Sequence, residues 1–126
     1  MQRAPISLVV ITLNEGPNIE RCLRSAPWVD DIVVLDSGST DDTVARARKL
    51  GARVFIESFR GYREQKIRAT ALARHDWVLS LDGDEALSPE LAGELQEKFV
   101  SKLLQNDGTA DLADGFEMPR LSFHLG

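Results

Sequence analysis

Three carboxylates fall within four positions at Asp82-Gly83-Asp84-Glu85, directly after the apolar run Trp77-Val78-Leu79-Ser80-Leu81. Acids clustered at the end of a buried strand work against stability. Like charges repel, and an unpaired carboxylate is costly to desolvate. A divalent cation removes that penalty. Hard cations such as Mg²⁺ prefer oxygen ligands, commonly one or two carboxylates completed by substrate phosphates. Asp82 and Asp84, separated by Gly83, are therefore candidate metal ligands. A solvated acidic turn before the next helix accounts for the same residues less specifically, so their setting has to decide.

The setting is an alternation of strands and helices. Ile6 to Leu13 is almost wholly apolar and rich in β-branched residues, as expected of a central strand covered on both faces. Asn14-Glu15-Gly16-Pro17 ends it, and Pro17 suits a first helical turn. Ile19, Cys22, Leu23 and Ala26 then carry the apolar stripe of a helix, which Pro27 stops. Asp31 to Asp36 predicts a second strand. Ser39 or Thr40 is the expected N-cap of the helix that follows it, and Gly51 closes that helix. Ala52 to Ile56 is the expected third strand. Tyr62 to Arg74 is the expected third helix, with Ile67, Ala69, Ala71 and Leu72 turned inward, and Trp77 to Leu81 is the fourth strand. Ser88-Pro89-Glu90 reads as a helix start, with Leu91, Leu95, Phe99 and Leu103 on its inner face. Asn106 to Thr109 breaks that helix, Ala110 to Asp114 is a polar linker, and Phe116 to Leu125 is a last strand bulged at Pro119.

Alternating strands and helices imply an α/β fold: a mostly parallel sheet with helices on both faces and right-handed crossovers. Ligands of such sheets bind beyond the carboxyl ends of the strands. Polar residues gather at those ends: Asn14 and Glu15 after the first strand, Asp36 and Ser37 after the second, Asp82 and Asp84 after the fourth. Three strand ends thus converge on one acidic rim. An acidic rim holding a cation suits a diphosphate, whose charge the metal neutralises. Asp36, apart from the metal pair, is suited to accept a nucleobase imide N–H or a ribose hydroxyl.

Composition narrows the class. At 43% hydrophobic and 28% charged the chain reads as one ordinary globular domain over residues 1–126. A net charge of −5 argues against a nucleic-acid binder, although Arg60, Arg63, Lys66, Arg68 and Arg74 form a local basic group where an anionic ligand could be met. Cys22 is the only cysteine, so no intrachain disulfide forms, and a packing role on its helix is expected. The apolar run from Ile6 is too brief for a membrane span and lacks a small-residue cleavage site. The expectation is a cytoplasmic protein, at most touching the inner face of the cell membrane.

Three segments, VVITLNEGPNIERCLRS, DIVVLDSGSTDDT and HDWVLSLDGDEALSPEL, occur in that order. Together they resemble the inverting family 2 glycosyltransferases with the GT-A fold, particularly bacterial lipopolysaccharide-core glucosyltransferases and similar envelope-sugar enzymes. The resemblance implies a Rossmann-like nucleotide-sugar-binding half, a UDP-hexose donor, Mg²⁺ or Mn²⁺, and a glycan or glycolipid acceptor. It implies that Asp36 meets the nucleobase, that Asp82 lies near ribose or metal, and that Asp84 coordinates metal. Thr12, Asn14 and Glu15 would line the nucleotide pocket, joined by Ser37 and Gly83, and Lys66 would approach the diphosphate. Two features depart from the family pattern. Gln65-Lys66-Ile67 stands where relatives often read Gln-Lys-Asn, and no Glu-Asp pair that could supply the general base lies between Asp111 and Gly126. The expectation is a chain holding the donor half, with acceptor binding and deprotonation assigned to a further half.

Two other classes fit the same alternation. A receiver-like Mg²⁺-binding signalling module would want a phosphorylatable aspartate ending the third strand, where Glu57 stands. A nucleotidyltransferase would want a glycine-rich loop after the first strand. Trp28 and Trp77 are expected to pack core edges, His75 to sit on the surface at a helix end, and His124 to have no catalytic role. The apolar tail 116–125 is the expected surface for a homodimer.

Overall fold

The computed structural model describes residues 4–106 and 121–124. In chain order the elements are β1 (Ala4–Thr12), α1 (Gly16–Arg24), β2 (Val29–Asp36), α2 (Thr43–Lys49), β3 (Arg53–Ile56), α3 (Tyr62–Ala71), β4 (Trp77–Asp82), α4 (Pro89–Asn106) and β5 (Leu121–His124). The strands form one sheet in the order β3-β2-β1-β4-β5, and every neighbouring pair runs parallel. This is the α/β fold expected from the alternation.

The two-residue period of β1 divides the core. Ile6, Leu8 and Val10 point to one face, where Ile19, Cys22 and Leu23 of α1, Ala47 of α2 and Leu95 of α4 cover them. Val9 points to the other, against Val33, Leu35, Val78 and the small residues Ala69 and Ala73 at α3 and its end. Each large side chain so buried contributes roughly 1.5–3 kcal/mol relative to exposure. Both faces are apolar because both are covered, which is why these strands read as unbroken hydrophobic runs.

Most expected elements are present within a residue or two, and Ser88 caps α4, its Oγ accepting the Leu91 N–H at 3.1 Å. Trp28 is buried and Trp77 packs against the core. Three expectations are corrected. Neither Ser39 nor Thr40 caps α2, whose N-cap position is Asp42; both hydroxyls are engaged by Asp36 and Asn14 instead. On α3, Ala69 is buried and Leu72 half-buried as expected, but Ile67 and Ala71 are exposed, and the polar Gln65 is fully buried. His75 is half-buried rather than superficial, with Nε2 at 2.8 Å from Asp30 Oδ2. The side chains of Phe99, Leu103 and His124, the linker, the Pro119 bulge and most of the tail 116–125 lie outside the described residues. Among the described residues, no helix is long and apolar enough to cross a membrane.

Candidate functional site

The strand order reverses beside β1: the chain steps from β1 to β2 and β3 on one side, then returns to β4 on the other. Such a switch point opens a crevice at the carboxyl ends of the strands. A cleft of about 360 Å³ lies there. Thr12, Leu13 and Glu15 supply its β1 side, Ser37 its β2 side, and Asp82, Gly83 and Asp84 its β4 side. Phe59, Tyr62 and Gln65 close it from the segment running into α3.

Six of the residues expected from the sequence therefore meet in one cleft: Thr12, Glu15, Ser37, Asp82, Gly83 and Asp84. The other three, Asp36, Asn14 and Lys66, do not line it. Asp36 is fully buried. Its Oδ1 accepts the hydroxyls of Thr12 and Ser39, each at 2.6 Å, and its Oδ2 accepts the N–H groups of Gly38 at 2.9 Å and Ser39 at 2.7 Å. Burial opposes ionisation, but the bonds from Ser39, Thr12 and Gly38 outweigh it and hold the carboxyl below the usual aspartate range. With both oxygens spent on its own loop, Asp36 is an organiser and not an open acceptor. Its neighbour Ser37 is the residue that faces the cleft.

Asn14 is corrected in the same way. Its φ of 55° lies in the left-handed region that asparagine tolerates better than most residues. There its Oδ1 accepts the N–H groups of Thr40 at 2.8 Å and Asp41 at 3.3 Å, while its own N–H donates to Ser39 Oγ at 2.7 Å. The Glu15 N–H donates to Thr43 Oγ1 at 2.8 Å and the Gly16 N–H to Asp41 Oδ2 at 3.0 Å. The first turn of α1 is thus capped by the loop before α2, and not by its own N-cap side chain. A Cβ on Gly16 would sit 2.5 Å from Asp42 Oδ1 and 2.9 Å from Asp41 Oδ2, so a larger residue there has to push those carboxylates aside.

Lys66 reaches across from α3 to Asp82, with Nζ at 3.4 Å from Oδ1. That oxygen is buried, and beyond the Lys66 ammonium no donor among the described residues reaches it. Gly83 is buried, and a Cβ there would lie 2.7 Å from Glu15 Cγ and 3.1 Å from Thr12 Cγ2. Much of the expected basic group is neutralised internally. Arg68 and Arg60 both grip Glu57, at 2.8 and 3.0 Å. The Arg68 hydrogen bonds, chiefly, push the Glu57 carboxyl down to about 2. A Glu57 held this way is not the open phosphoacceptor a receiver module requires.

Sequence reasoning missed five lining residues, Ile11, Leu13, Phe59, Tyr62 and Gln65. Leu13, Phe59 and Tyr62 are 53%, 52% and 73% exposed, unusually open for large apolar side chains. The rings of Phe59 and Tyr62 meet edge to face at 5.2 Å. Gln65 links the wall together, donating from Nε2 to Ser37 Oγ at 3.4 Å and accepting the Arg60 N–H at 3.2 Å. The aromatic pair flanking Arg60-Gly61 was the available signal, since apolar residues in a loop need a reason.

Among the described residues, no group of three or more His, Cys, Asp or Glu is gathered to hold an ion by itself. Two carboxylates at a cleft suit a cation completed by ligand phosphates, and Asp82 and Asp84, two positions apart on the β4 side of the cleft, suit that arrangement.

Comparisons with known proteins agree with the geometry. The chain is 47% identical over 97 residues to an uncharacterized glycosyltransferase of Rickettsia conorii, covering 76% of this chain and 34% of that one. It is 34% identical over 104 residues to the lipopolysaccharide core biosynthesis glycosyltransferase LpsC of Rhizobium meliloti, covering 79% of this chain and 38% of LpsC. The chain thus spans about a third of the length of these relatives. Among solved structures, glucosyl-3-phosphoglycerate synthase of Mycobacterium tuberculosis superposes with a TM-score of 0.56 at 31% identity, over 85% of this chain and 40% of that one. That enzyme was crystallised with Mn²⁺, UDP and glucosyl-3-phosphoglycerate. The likeness places the sheet in the Rossmann-like GT-A class. The model of Glycosyl transferase family 2 matches residues 7–116, and the chain belongs to that family.

Proposed function

We propose that this chain is the nucleotide-diphospho-sugar-binding part of an inverting glycosyltransferase. The donor is a UDP-hexose bound with Mg²⁺ or Mn²⁺, and the acceptor is an envelope polysaccharide or a lipopolysaccharide-core glycolipid. The observation that carries this reading is the β1/β4 crevice, where the partly exposed Asp82 carboxylate, ion-paired with Lys66 at 3.4 Å, stands beside the open Asp84. The relatives' names and the UDP and Mn²⁺ of the mycobacterial enzyme support it. The location that goes with this proposal is the cytoplasm, at the inner face of the cell membrane, where a glycolipid acceptor would be met.

Asp82 and Asp84 would hold the cation, which when bound neutralises the diphosphate and eases departure of the nucleoside diphosphate. The chain's own residues do the rest. Ser37 offers a hydroxyl at the end of β2, and Leu13, Phe59 and Tyr62 offer flat apolar surface that excludes water from a base. Lys66 steadies Asp82 and limits the charge repulsion of the acid loop.

Calorimetric titration of UDP, with and without Mn²⁺, tests the proposal. Tighter binding with Mn²⁺, and weaker binding of GDP and CDP, is expected. Equal affinity with and without the metal, or a preference for GDP, overturns it.

A further inference from the structure

The acid loop is held from behind by α1. Cys22 is fully buried, and its Sγ lies 3.6 Å from the Asp82 carbonyl oxygen, to which it donates. One residue earlier, Arg21 donates from Nη2 to the Asp84 carbonyl oxygen at 3.3 Å. From the other side Glu85 folds back, its Oε1 accepting the Asp82 N–H at 2.8 Å while its own N–H donates to the Asp82 carbonyl at 2.9 Å. The Gly83 N–H donates to the Ile11 carbonyl at 3.2 Å. Five backbone groups of the loop are thus engaged, and the Asp82 and Asp84 side chains line the cleft. We infer that Arg21 and Cys22 are positioning residues, holding the Asp82–Asp84 loop in the form that receives a divalent cation and its diphosphate.

The inference rests on the proposed function, and the charge balance gives it physical content. Asp82, Asp84 and Glu85 repel one another, and without a metal only nearby cations oppose that repulsion. Lys66 does so from α3 at Asp82, and Arg21 from α1 at the Asp84 end. A thiol is a weak donor, which makes the charged Arg21 the stronger tie. Mg²⁺ and Mn²⁺ sites tolerate little displacement of their ligands, and losing the groups that orient metal ligands typically costs about 10–100-fold in metal affinity.

The test uses the exposed Arg21, whose substitution leaves the core intact, alongside Cys22→Ala. Arg21→Met is expected to lower the Mn²⁺ enhancement of UDP affinity about tenfold while metal-free UDP affinity stays within about twofold. Arg21→Lys should restore most of the enhancement, and Cys22→Ala should lower it about threefold. In the ligand-free protein, amide exchange at Gly83 and Glu85 should speed up in Arg21→Met and not in Arg21→Lys. If Arg21→Met keeps the full enhancement and the wild-type exchange rates, the inference is overturned while the proposed function stands. A wild-type chain without any Mn²⁺ enhancement overturns both. A uniform loss of affinity with and without metal, at unchanged exchange rates, assigns Arg21 a structural role only and also overturns the inference.

Discussion

Thr12 and Asp36 are register partners on adjacent parallel strands, and the Thr12 hydroxyl donates to Asp36 Oδ1 at 2.6 Å across that pairing. The bond ties the ends of β1 and β2 to one carboxylate, which then shapes the turn that presents Ser37 to the cleft. Thr12→Val keeps the shape and removes the donor, so a loss of about 1 kcal/mol in urea unfolding is expected. Asp36→Ala strands three donors besides Thr12 and should cost about 3 kcal/mol or more. Both should weaken UDP binding even without metal. An Asp36→Ala protein as stable as wild type would show that the turn does not depend on this hub.

Gly83 answers to a different constraint, close approach. A Cβ at 2.7 Å from Glu15 Cγ requires the Glu15 side chain to move, and that side chain lines the cleft. Gly83→Ala is expected to weaken UDP affinity about tenfold, equivalent to about 1.4 kcal/mol, with a smaller effect on the thermal midpoint. Unchanged affinity would mean that Glu15 swings aside without consequence.

Asp84 is exposed, and no described side chain is bonded to its carboxylate. Asp84→Asn therefore changes the charge offered to a cation and little else. Stability should stay within about 0.5 kcal/mol, and the Mn²⁺ enhancement of UDP binding should disappear. An enhancement that survives the substitution would move the metal to other ligands.

The strand ends were legible because apolar β-branched runs stop abruptly at polar residues, and their convergence follows from parallel connectivity alone. Asp82, Asp84, Glu15 and Ser37 were found this way. What stayed hidden depends on pairing across the sheet. Nothing local tells that Asn14 will serve the loop before α2 or that Thr12 will tie to Asp36, because each of those partners lies some two dozen residues away. Gln65 was illegible for a related reason. Its burial depends on two partners, Ser37 Oγ and the Arg60 N–H, and on a helix phase set by Ala69 and Ala73.

A second buried network, at the opposite end of the sheet, was equally unreadable. Asp31 is 4% exposed and accepts Arg53 at 3.0 Å through both carboxylate oxygens, the Ser7 hydroxyl at 2.6 Å and the Arg74 N–H at 2.9 Å. Removing one partner of a buried pair leaves an uncompensated charge and costs about 3–5 kcal/mol when burial is complete. Arg53 is a third exposed, so about 2 kcal/mol is expected for Arg53→Met. The double change Arg53→Met with Asp31→Asn should recover part of it, because the stranded charge is gone. A double variant less stable than the sum of the two singles would contradict this account.

The depressed carboxylates also fix how stability responds to acid. Glu57 falls from 4.5 to about 2, chiefly through the Arg68 hydrogen bonds, and Asp31 and Asp36 are held low by the bonds described above. Each of these groups binds a proton more readily in the unfolded chain than in the folded one. Their stabilisation is therefore complete above the unfolded values and is lost as pH falls through the folded ones. Urea midpoints should hold steady near neutrality and drop steadily below about pH 4.5, the ordinary Glu57 value. Arg68→Met isolates one contributor. It returns Glu57 toward its ordinary range, so the variant should be less stable than wild type near neutrality. The gap should narrow toward pH 2 and close below it, as the wild-type Glu57 takes up its proton too. Salt should shrink the gap as well, because Arg68 is largely open to solvent. A gap that stays constant from neutrality to pH 2 would show that Arg68 acts through packing and not through charge.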